Sequence, residues 1–325
     1  MIIQIILLII GLVLLIKGAD WLVNGSTSIA RKYGVSELII GLTVVGFGTS
    51  MPEFIVNVIA SINGDAGEIV IGNIIGSNNF NLFFIIGIAG LITPLAVQGT
   101  TIRKEIPISL AAIVLLMILA NDSFLYKADK DVIGRIDGLL LLILFGGFML
   151  YIFKSMRADR HLKFETSTTT SATINTGKVI LLVVVGLASL IIGGKLMVDN
   201  AVKIAEALNV SHQLIGLTIV SAGTSLRELA TSLVAARKGN TDLAVGNIIG
   251  SNIFNILFIL GASALIRPVD YNLAFNIDGM VLVLGTMFLL VTMFTGKKRK
   301  VDRWEAAIFL ACYIGYMIYL IAMEI

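Results

Sequence analysis

The sequence has 325 residues, of which 57% are hydrophobic and only 14% are charged. Soluble domains have about 25% charged residues, so this composition excludes an ordinary soluble fold. The net charge of +3 is too small to indicate a nucleic-acid partner, and the single cysteine, Cys312, excludes a disulfide framework. The apolar residues form runs long enough to cross a hydrocarbon layer of roughly 30 Å as helices.

Ten apolar segments follow one another along the chain, and we predict that each is a transmembrane helix. A polar, Ser/Thr-rich stretch at 154–177 has no helical periodicity and separates five segments from five. We therefore predict a first repeat over residues 1–153, a cytoplasmic linker, and a second repeat over residues 178–325. The segments cover residues 2–17, 36–62, 68–92, 105–120, 134–153, 178–196, 211–236, 242–266, 277–295 and 304–323.

The two halves of the chain are copies of one sequence. GVSELIIGLTVVGFGTSMPE at 34–53 aligns with NVSHQLIGLTIVSAGTSLRE at 209–228, and GNIIGSN occurs at 72–78 and again at 246–252. Because each copy has an odd number of segments, the second copy enters the membrane from the opposite side. The predicted fold is an all-α integral membrane protein with ten transmembrane helices, arranged as two inverted five-helix repeats.

The positions of Lys and Arg predict the orientation, because cytoplasmic loops collect positive charge. With the N-terminus outside, the cytoplasmic loops contain 17 of the 24 Lys and Arg residues and the opposite side contains 6. The remaining one, Arg227, lies within a segment. We therefore expect a multi-pass protein of the cell membrane with both termini extracellular.

Polar side chains recur at equivalent positions of the two halves, inside apolar segments. Residues three or four apart share one face of a helix, so each half presents hydroxyls, amides and one carboxylate in one direction. A charged group in the middle of a bilayer costs about 2.5–3.5 kcal/mol on insertion scales, which indicates a function for each carboxylate. Oxygen ligands suit hard cations such as Na⁺ and Ca²⁺ and are a poor choice for zinc or copper. The residues are Thr49, Ser50, Glu53, Asn73, Ser77 and Asn81, with Thr224, Ser225, Glu228, Asn247, Ser251 and Asn255.

Glycines accompany these polar residues. Gly46, Gly48 and Pro52 are expected to interrupt the second segment near its middle, and interrupted helices indicate the midplane site of a transporter. Gly246 and Gly250, like their first-half counterparts, are typical of close helix packing. The asparagines that begin each polar face, at 73 and 247, could equally hold helices together.

The paired motifs resemble the two α-repeats of the sodium/calcium exchanger family: GTSMPE with GSNNFN in the first half, GTSLRE with GSNIFN in the second. The resemblance extends over essentially the whole chain. It implies a secondary-active antiporter, and not an enzyme, that exchanges Na⁺ for Ca²⁺ by alternating access. Family stoichiometry of three Na⁺ for one Ca²⁺ implies electrogenic exchange. The implied cation ligands are Thr49, Ser50, Glu53, Ser77, Asn81, Thr224, Ser225, Glu228, Ser251 and Asn255.

The resemblance also implies what the protein binds. Its substrates would be Na⁺ and Ca²⁺, within a lipid bilayer, and we expect no cofactor, nucleic acid or obligatory protein partner. Asn255 stands where the potassium-dependent branch has Asp, which predicts independence of K⁺. Two alternatives stay open: a Ca²⁺/H⁺ exchanger of the same superfamily and, from another class, a passive cation channel.

One residue departs from the family pattern. Arg227 stands where the first half has Pro52 and the family has proline. Because adjacent positions do not share a helix face, Arg227 is expected to point away from the site. If it turned inward, it would pair with its neighbour Glu228 and compete with Ca²⁺.

Overall fold

The computed structural model describes residues 2–64, 66–123, 130–166, 176–208, 221–295 and 299–324, which are almost entirely helical. The α-helices are α1 (Ile2–Tyr33), α2 (Glu37–Ile40), α3 (Gly46–Asn63), α4 (Ala66–Asn79), α5 (Ile86–Ile92), α6 (Ile106–Leu119), α7 (Arg135–Thr166), α8 (Thr176–Ala207), α9 (Ser221–Thr224), α10 (Leu226–Arg237), α11 (Thr241–Ile253), α12 (Gly261–Ile266), α13 (Phe275–Thr292) and α14 (Arg303–Glu324). Wider π-helical turns occur at Gly41–Val45, Phe80–Ile85, Thr101–Glu105 and Phe254–Leu260. The strands are β1 (Leu95–Ala96), β2 (Val132–Ile133), β3 (Val269–Asp270) and β4 (Lys300–Val301).

Eight helical spans in the described part of the chain are long and apolar enough to cross a membrane. They match eight of the ten predicted segments. The fourth segment contains α6, which has 14 residues and follows a π-helical turn that carries Arg103, Lys104 and Glu105. Residues 211–220 of the seventh segment lie outside the described residues. The structure thus supports a helical membrane fold, while the count of ten is not fully confirmed.

Several helices extend beyond their apolar parts. α1 continues to Tyr33 and α8 to Ala207, well past the predicted ends. α7 continues to Thr166, so the prediction that 154–166 is non-helical is wrong. Lys, Arg, Met and Leu in this stretch are good helix formers, and extending an existing helix costs far less than starting one. The remaining linker residues, 167–175, lie outside the described residues.

The first helices of the two halves pack against each other in antiparallel directions. Gly186 and Gly193 are the second-half counterparts of Gly11 and Gly18. A side-chain carbon on Gly18 would lie 2.9 Å from the carbonyl oxygen of Gly186, and one on Gly11 would lie 2.8 Å from that of Gly193. Gly11 therefore contacts Gly193, the counterpart of Gly18, and Gly18 contacts Gly186, the counterpart of Gly11. A two-fold axis requires this reciprocal arrangement. This contact relates the repeats in the inverted manner that the sequence predicts.

The short strands also join the two halves. β1 pairs antiparallel with β4, and β2 pairs antiparallel with β3. In the predicted topology β1 and β4 lie on one side of the membrane and β2 and β3 lie on the other. Each strand therefore pairs with a strand on its own side, which agrees with the predicted topology.

The segments that carry the repeated polar motifs form the centre of the molecule. In an apolar stretch of 18 residues within Thr241–Ile266, 83% of the residues are buried, whereas only 17% are buried in the corresponding stretch of Arg303–Ala322. The central helices are thus shielded by others that face outward with apolar side chains.

Candidate functional site

The helix that carries GTSMPE is continuous. The sequence predicts an interruption at Gly46, Gly48 and Pro52, but the chain is helical over Glu37–Asn63, and this prediction is wrong. A π-helical turn at Gly41–Val45 precedes the motif, so the irregular part of this helix lies before GTSMPE and not within it. Pro52 has no N–H, so it donates no helical hydrogen bond to the carbonyl four residues earlier.

The equivalent helix of the second half does break. α9 ends at Thr224 and α10 begins at Leu226, and Ser225 between them has φ −94° and ψ 9°. Glu228 consequently lies in the first turn of α10, although arginine instead of proline stands at 227. The two half-sites therefore differ in backbone structure despite their similar sequences.

Hydrogen bonds between the two halves bring several of the ten predicted ligands together. Nine are buried and Thr224 is half-buried. The Ser50 hydroxyl donates to Glu228 Oε1 at 3.4 Å, and the hydroxyl oxygens of Ser77 and Thr224 are 3.5 Å apart. Ser251 Oγ donates to the Gly46 carbonyl at 3.4 Å. One composite cluster of oxygens is thus formed at the junction of the repeats.

Several buried oxygens of the predicted ligands have no hydrogen-bond partner among the described residues. They include one carboxylate oxygen of each glutamate, and a buried oxygen without a partner costs about 1–3 kcal/mol. A bound cation would satisfy such oxygens without supplying a proton. The atoms are Glu53 Oε2, Glu228 Oε2, Asn81 Oδ1, Asn255 Oδ1 and Ser225 Oγ.

Two asparagines outside the predicted ligand set, Asn78 and Asn252, link the two halves of the chain. Asn78 and Asn252 each donate a side-chain hydrogen bond to the backbone carbonyl of the other, at 3.3 and 3.4 Å. Asn81 Nδ2 donates to Asn252 Oδ1 at 3.1 Å, and Asn255 Nδ2 donates to Asn78 Oδ1 at 2.9 Å. These reciprocal bonds engage the amide nitrogens of Asn81 and Asn255 and leave their oxygens free. The tripeptide GSN occurs in both halves and ends in Asn78 and in Asn252. This repetition is the sequence feature that could have indicated the pair.

Two residues of the second GNIIGSN motif, Asn247 and Gly246, have a packing role. Asn247 accepts from the Thr49 hydroxyl at 3.2 Å and donates to Ser232 Oγ at 2.9 Å, so it holds three helical segments together. A side-chain carbon on Gly246 would lie 2.6 Å from the Leu38 carbonyl oxygen. The packing interpretation therefore holds for Asn247 and Gly246.

Arg227 points into the site, contrary to the expectation that it points away. It is 5% exposed, and its Nη2 lies 2.9 Å from Glu53 Oε1, in the other half of the chain. Its Nε donates to the Thr49 carbonyl at 3.2 Å, and Nη2 also donates to the Thr224 carbonyl. The sequence predicts Glu228 as the partner of an inward-pointing Arg227, but the ion pair is formed with Glu53. The helix is interrupted at Ser225. The direction of the Arg227 side chain therefore does not follow from counting residues along one continuous helix.

The comparisons with known proteins agree with this architecture. The family profile described as sodium/calcium exchanger protein matches residues 3–154 and 178–322. The chain is 40% identical over 321 residues to the putative antiporter CaxA of Alkalimonas amylolytica, which covers 97% of this chain and 98% of that protein. It is 32% identical over 348 residues to the sodium/calcium exchanger MaX1 of Methanosarcina acetivorans, with 97% of each chain covered.

A solved structure of the sodium-calcium exchanger NCX_Mj, soaked with zero Na⁺ and Ca²⁺, has the same fold. Its TM-score is 0.81 at 33% sequence identity, over 98% of this chain and 99% of that chain. These relatives are transporters and not enzymes. The inverted repeats, the buried oxygen cluster and the matches over nearly the whole length lead to one conclusion: the chain belongs to the sodium/calcium exchanger family.

Proposed function

We propose that the protein is a secondary-active antiporter that exchanges Na⁺ for Ca²⁺ across the cell membrane. The observation that carries this proposal is the buried cluster of unpaired carboxylate and amide oxygens, which both halves of the chain supply. Such oxygens suit Ca²⁺ and Na⁺, and an antiporter needs one site that each ion occupies in turn. The relatives named as sodium/calcium exchangers support the same pair of ions.

Charge decides which ions the site favours. Two free carboxylates would neutralise one Ca²⁺, and three Na⁺ in the same place would leave one excess positive charge. Exchange through a site with two free carboxylates would be electrogenic, and the ion pair of Arg227 with Glu53 changes this charge count. We also propose independence of K⁺, because Asn81 and Asn255 are neutral and add no charge for a further cation.

The ten predicted oxygen ligands remain our proposal for the cation site. The hydroxyls of Thr49 and Ser50, next to the carboxylates, favour Na⁺ over protons as the counter-ion. A passive channel is disfavoured because the polar side chains gather in one buried cluster and the helices around them are apolar.

Transport by the purified protein in liposomes tests this proposal. We expect radioactive Ca²⁺ to accumulate when Na⁺ is loaded inside, and not when a pH gradient replaces the Na⁺ gradient. Added K⁺ should leave the rate unchanged when valinomycin holds the voltage constant. The Glu228→Gln protein serves as the control without transport.

Each alternative has its own result in this experiment. Uptake driven by the pH gradient alone would indicate a Ca²⁺/H⁺ exchanger. Ca²⁺ entry without any opposing gradient would indicate a channel. Stimulation by K⁺ at constant voltage would contradict independence of K⁺.

A further inference from the structure

Arg227 places a permanent positive charge inside the candidate cation site. The guanidinium stays protonated at any working pH. It is buried against Glu53, one of the two carboxylates on which the proposed exchange depends. With both glutamates ionised, the site has two negative charges and one positive charge before any ion enters it.

The contacts of this guanidinium are those of a bound cation. It interacts with a carboxylate oxygen of Glu53 and with the backbone carbonyls of Thr49 and Thr224. These are oxygen atoms from both halves of the chain, at the centre of the predicted ligand set. Hard cations bind to the same kinds of oxygen atom.

The surroundings hold the guanidinium in this position. Removing it from Glu53 would leave two buried charges uncompensated, which is strongly unfavourable. Among the described residues Glu53 is the one carboxylate with which it forms an ion pair. Gly194 of α8 provides the space, since a side-chain carbon there would lie 3.2 Å from Arg227 Nη1.

We propose that Arg227 is a tethered cation that fills one cation position throughout the cycle, so that two Na⁺ exchange for each Ca²⁺ and no net charge moves. This inference rests on the proposed Na⁺/Ca²⁺ exchange. With Arg227 in place, one Ca²⁺ brings the site to a net charge of +1, and two Na⁺ bring it to the same value. Three Na⁺ would bring it to +2, a larger uncompensated charge in a buried site.

The steady Ca²⁺ gradient that a given Na⁺ gradient supports measures this stoichiometry. With two Na⁺ per Ca²⁺, the Ca²⁺ gradient varies as the square of the Na⁺ gradient and does not respond to voltage. With three Na⁺, it varies as the cube, and about 100 mV changes it by about 50-fold, because one charge crosses the membrane per cycle.

The experiment uses the wild-type protein in liposomes, with K⁺ and valinomycin to set the voltage. We expect the square relation and no response to voltage. A cubic relation with a response to voltage in the wild type would overturn the tethered-cation inference and leave Na⁺/Ca²⁺ exchange intact. Absence of any Na⁺-dependent Ca²⁺ uptake in the wild type would overturn both.

Two variants test whether Arg227 is the cause. Arg227→Pro restores the residue of the first half, and proline is tolerated in the first turn of a helix such as α10. Arg227→Gln removes the charge with a good helix former, in case the proline variant does not fold. Either should give the cubic relation, a response to voltage and tighter Ca²⁺ binding.

A matched control removes a different cation from the same helix. Arg237 is exposed at the end of α10, and Arg237→Gln should keep the square relation. If the Arg227 variants kept the square relation as well, the arginine would not determine the stoichiometry and the inference would be wrong.

Discussion

At the scale of single residues, two equivalent glutamates have acquired different surroundings. Glu53 is paired with Arg227 at 2.9 Å, whereas Glu228 accepts a hydrogen bond from Ser50 at 3.4 Å. Both are buried and both have one oxygen without a partner. The internal duplication makes them equivalent in sequence, and a single substitution next to one of them makes them unequal in charge environment.

Neutralising each glutamate should therefore have a different effect on stability. Glu53→Gln and Glu228→Gln should both abolish exchange, because each removes a charge that offsets the dehydration of Ca²⁺. Glu53→Gln should also lower the free energy of unfolding by about 3–5 kcal/mol, because it leaves Arg227 buried without its partner. Glu228→Gln should cost much less. Thermal unfolding in detergent, alongside the transport assay, measures both effects.

The double variant Glu53→Gln/Arg227→Gln is the control for this difference. It removes both charges of the pair and should recover most of the lost stability without recovering transport. Equal stability of the two single variants would contradict the ion pair with Arg227.

At the scale of helices, α1 and α8 meet through their backbones. Gly11 and Gly18 of α1 face Gly193 and Gly186 of α8, and small residues allow membrane helices to approach closely. We expect this glycine-lined contact to hold α1 and α8 together as one unit.

A methyl group in this contact should separate the two helices. On Gly186 it would lie 2.7 Å from the Leu22 nitrogen and 2.9 Å from the Gly18 carbonyl oxygen. We expect Gly186→Ala to lower stability by about 1–3 kcal/mol through overpacking, and to slow transport. Thermal unfolding and initial uptake rates in liposomes measure the two effects.

Gly315 of α14 offers the matched control. No atom of the described residues lies within 4 Å of a side-chain carbon there. In a helix, alanine is favoured over glycine by about 1 kcal/mol, so Gly315→Ala should keep or raise stability. A similar response of both variants would show that the backbone contact between α1 and α8 is unimportant.

At the scale of the whole molecule, a pseudo-two-fold axis passes through the pair Asn78 and Asn252. The same axis relates the glycine contacts of α1 and α8 and the two strand pairs. Inversion of one half relative to the other brings the same two motifs face to face. The asparagines on the axis then hold Asn81 and Asn255 in equivalent positions.

The predicted orientation in the membrane can be tested with single cysteines. In a Cys312→Ser background, Lys130→Cys should react with a membrane-impermeant maleimide in intact cells, because the fourth loop is predicted to be extracellular. Lys300→Cys should react only after permeabilisation, because it lies in a predicted cytoplasmic loop. Both side chains are exposed in the structure. The reverse pattern of labelling would invert the proposed topology.

The sequence by itself determined the class of the molecule. Its apolar segments, its duplication and the odd number of segments in each half predicted a helical membrane protein built from inverted repeats. The spacing of Thr49, Ser50 and Glu53, and of their counterparts, predicted which side chains share a face. These properties are local, because helical periodicity and the cost of burying a charge follow from neighbours along the chain.

The tertiary structure alone decided how the half-sites meet. The helices α1, α7 and α8 continue beyond their predicted ends. An apolar pattern predicts the part of a helix that lies in the hydrocarbon layer, and it gives no information on the polar turns that follow. The asparagine pair on the axis and the partner of Arg227 involve residues more than 170 positions apart. The direction of Arg227 depends on the break at Ser225 and on the position of Glu53 in the other repeat. An ion pair between halves is a property of their packing, and no pattern within either half contains it.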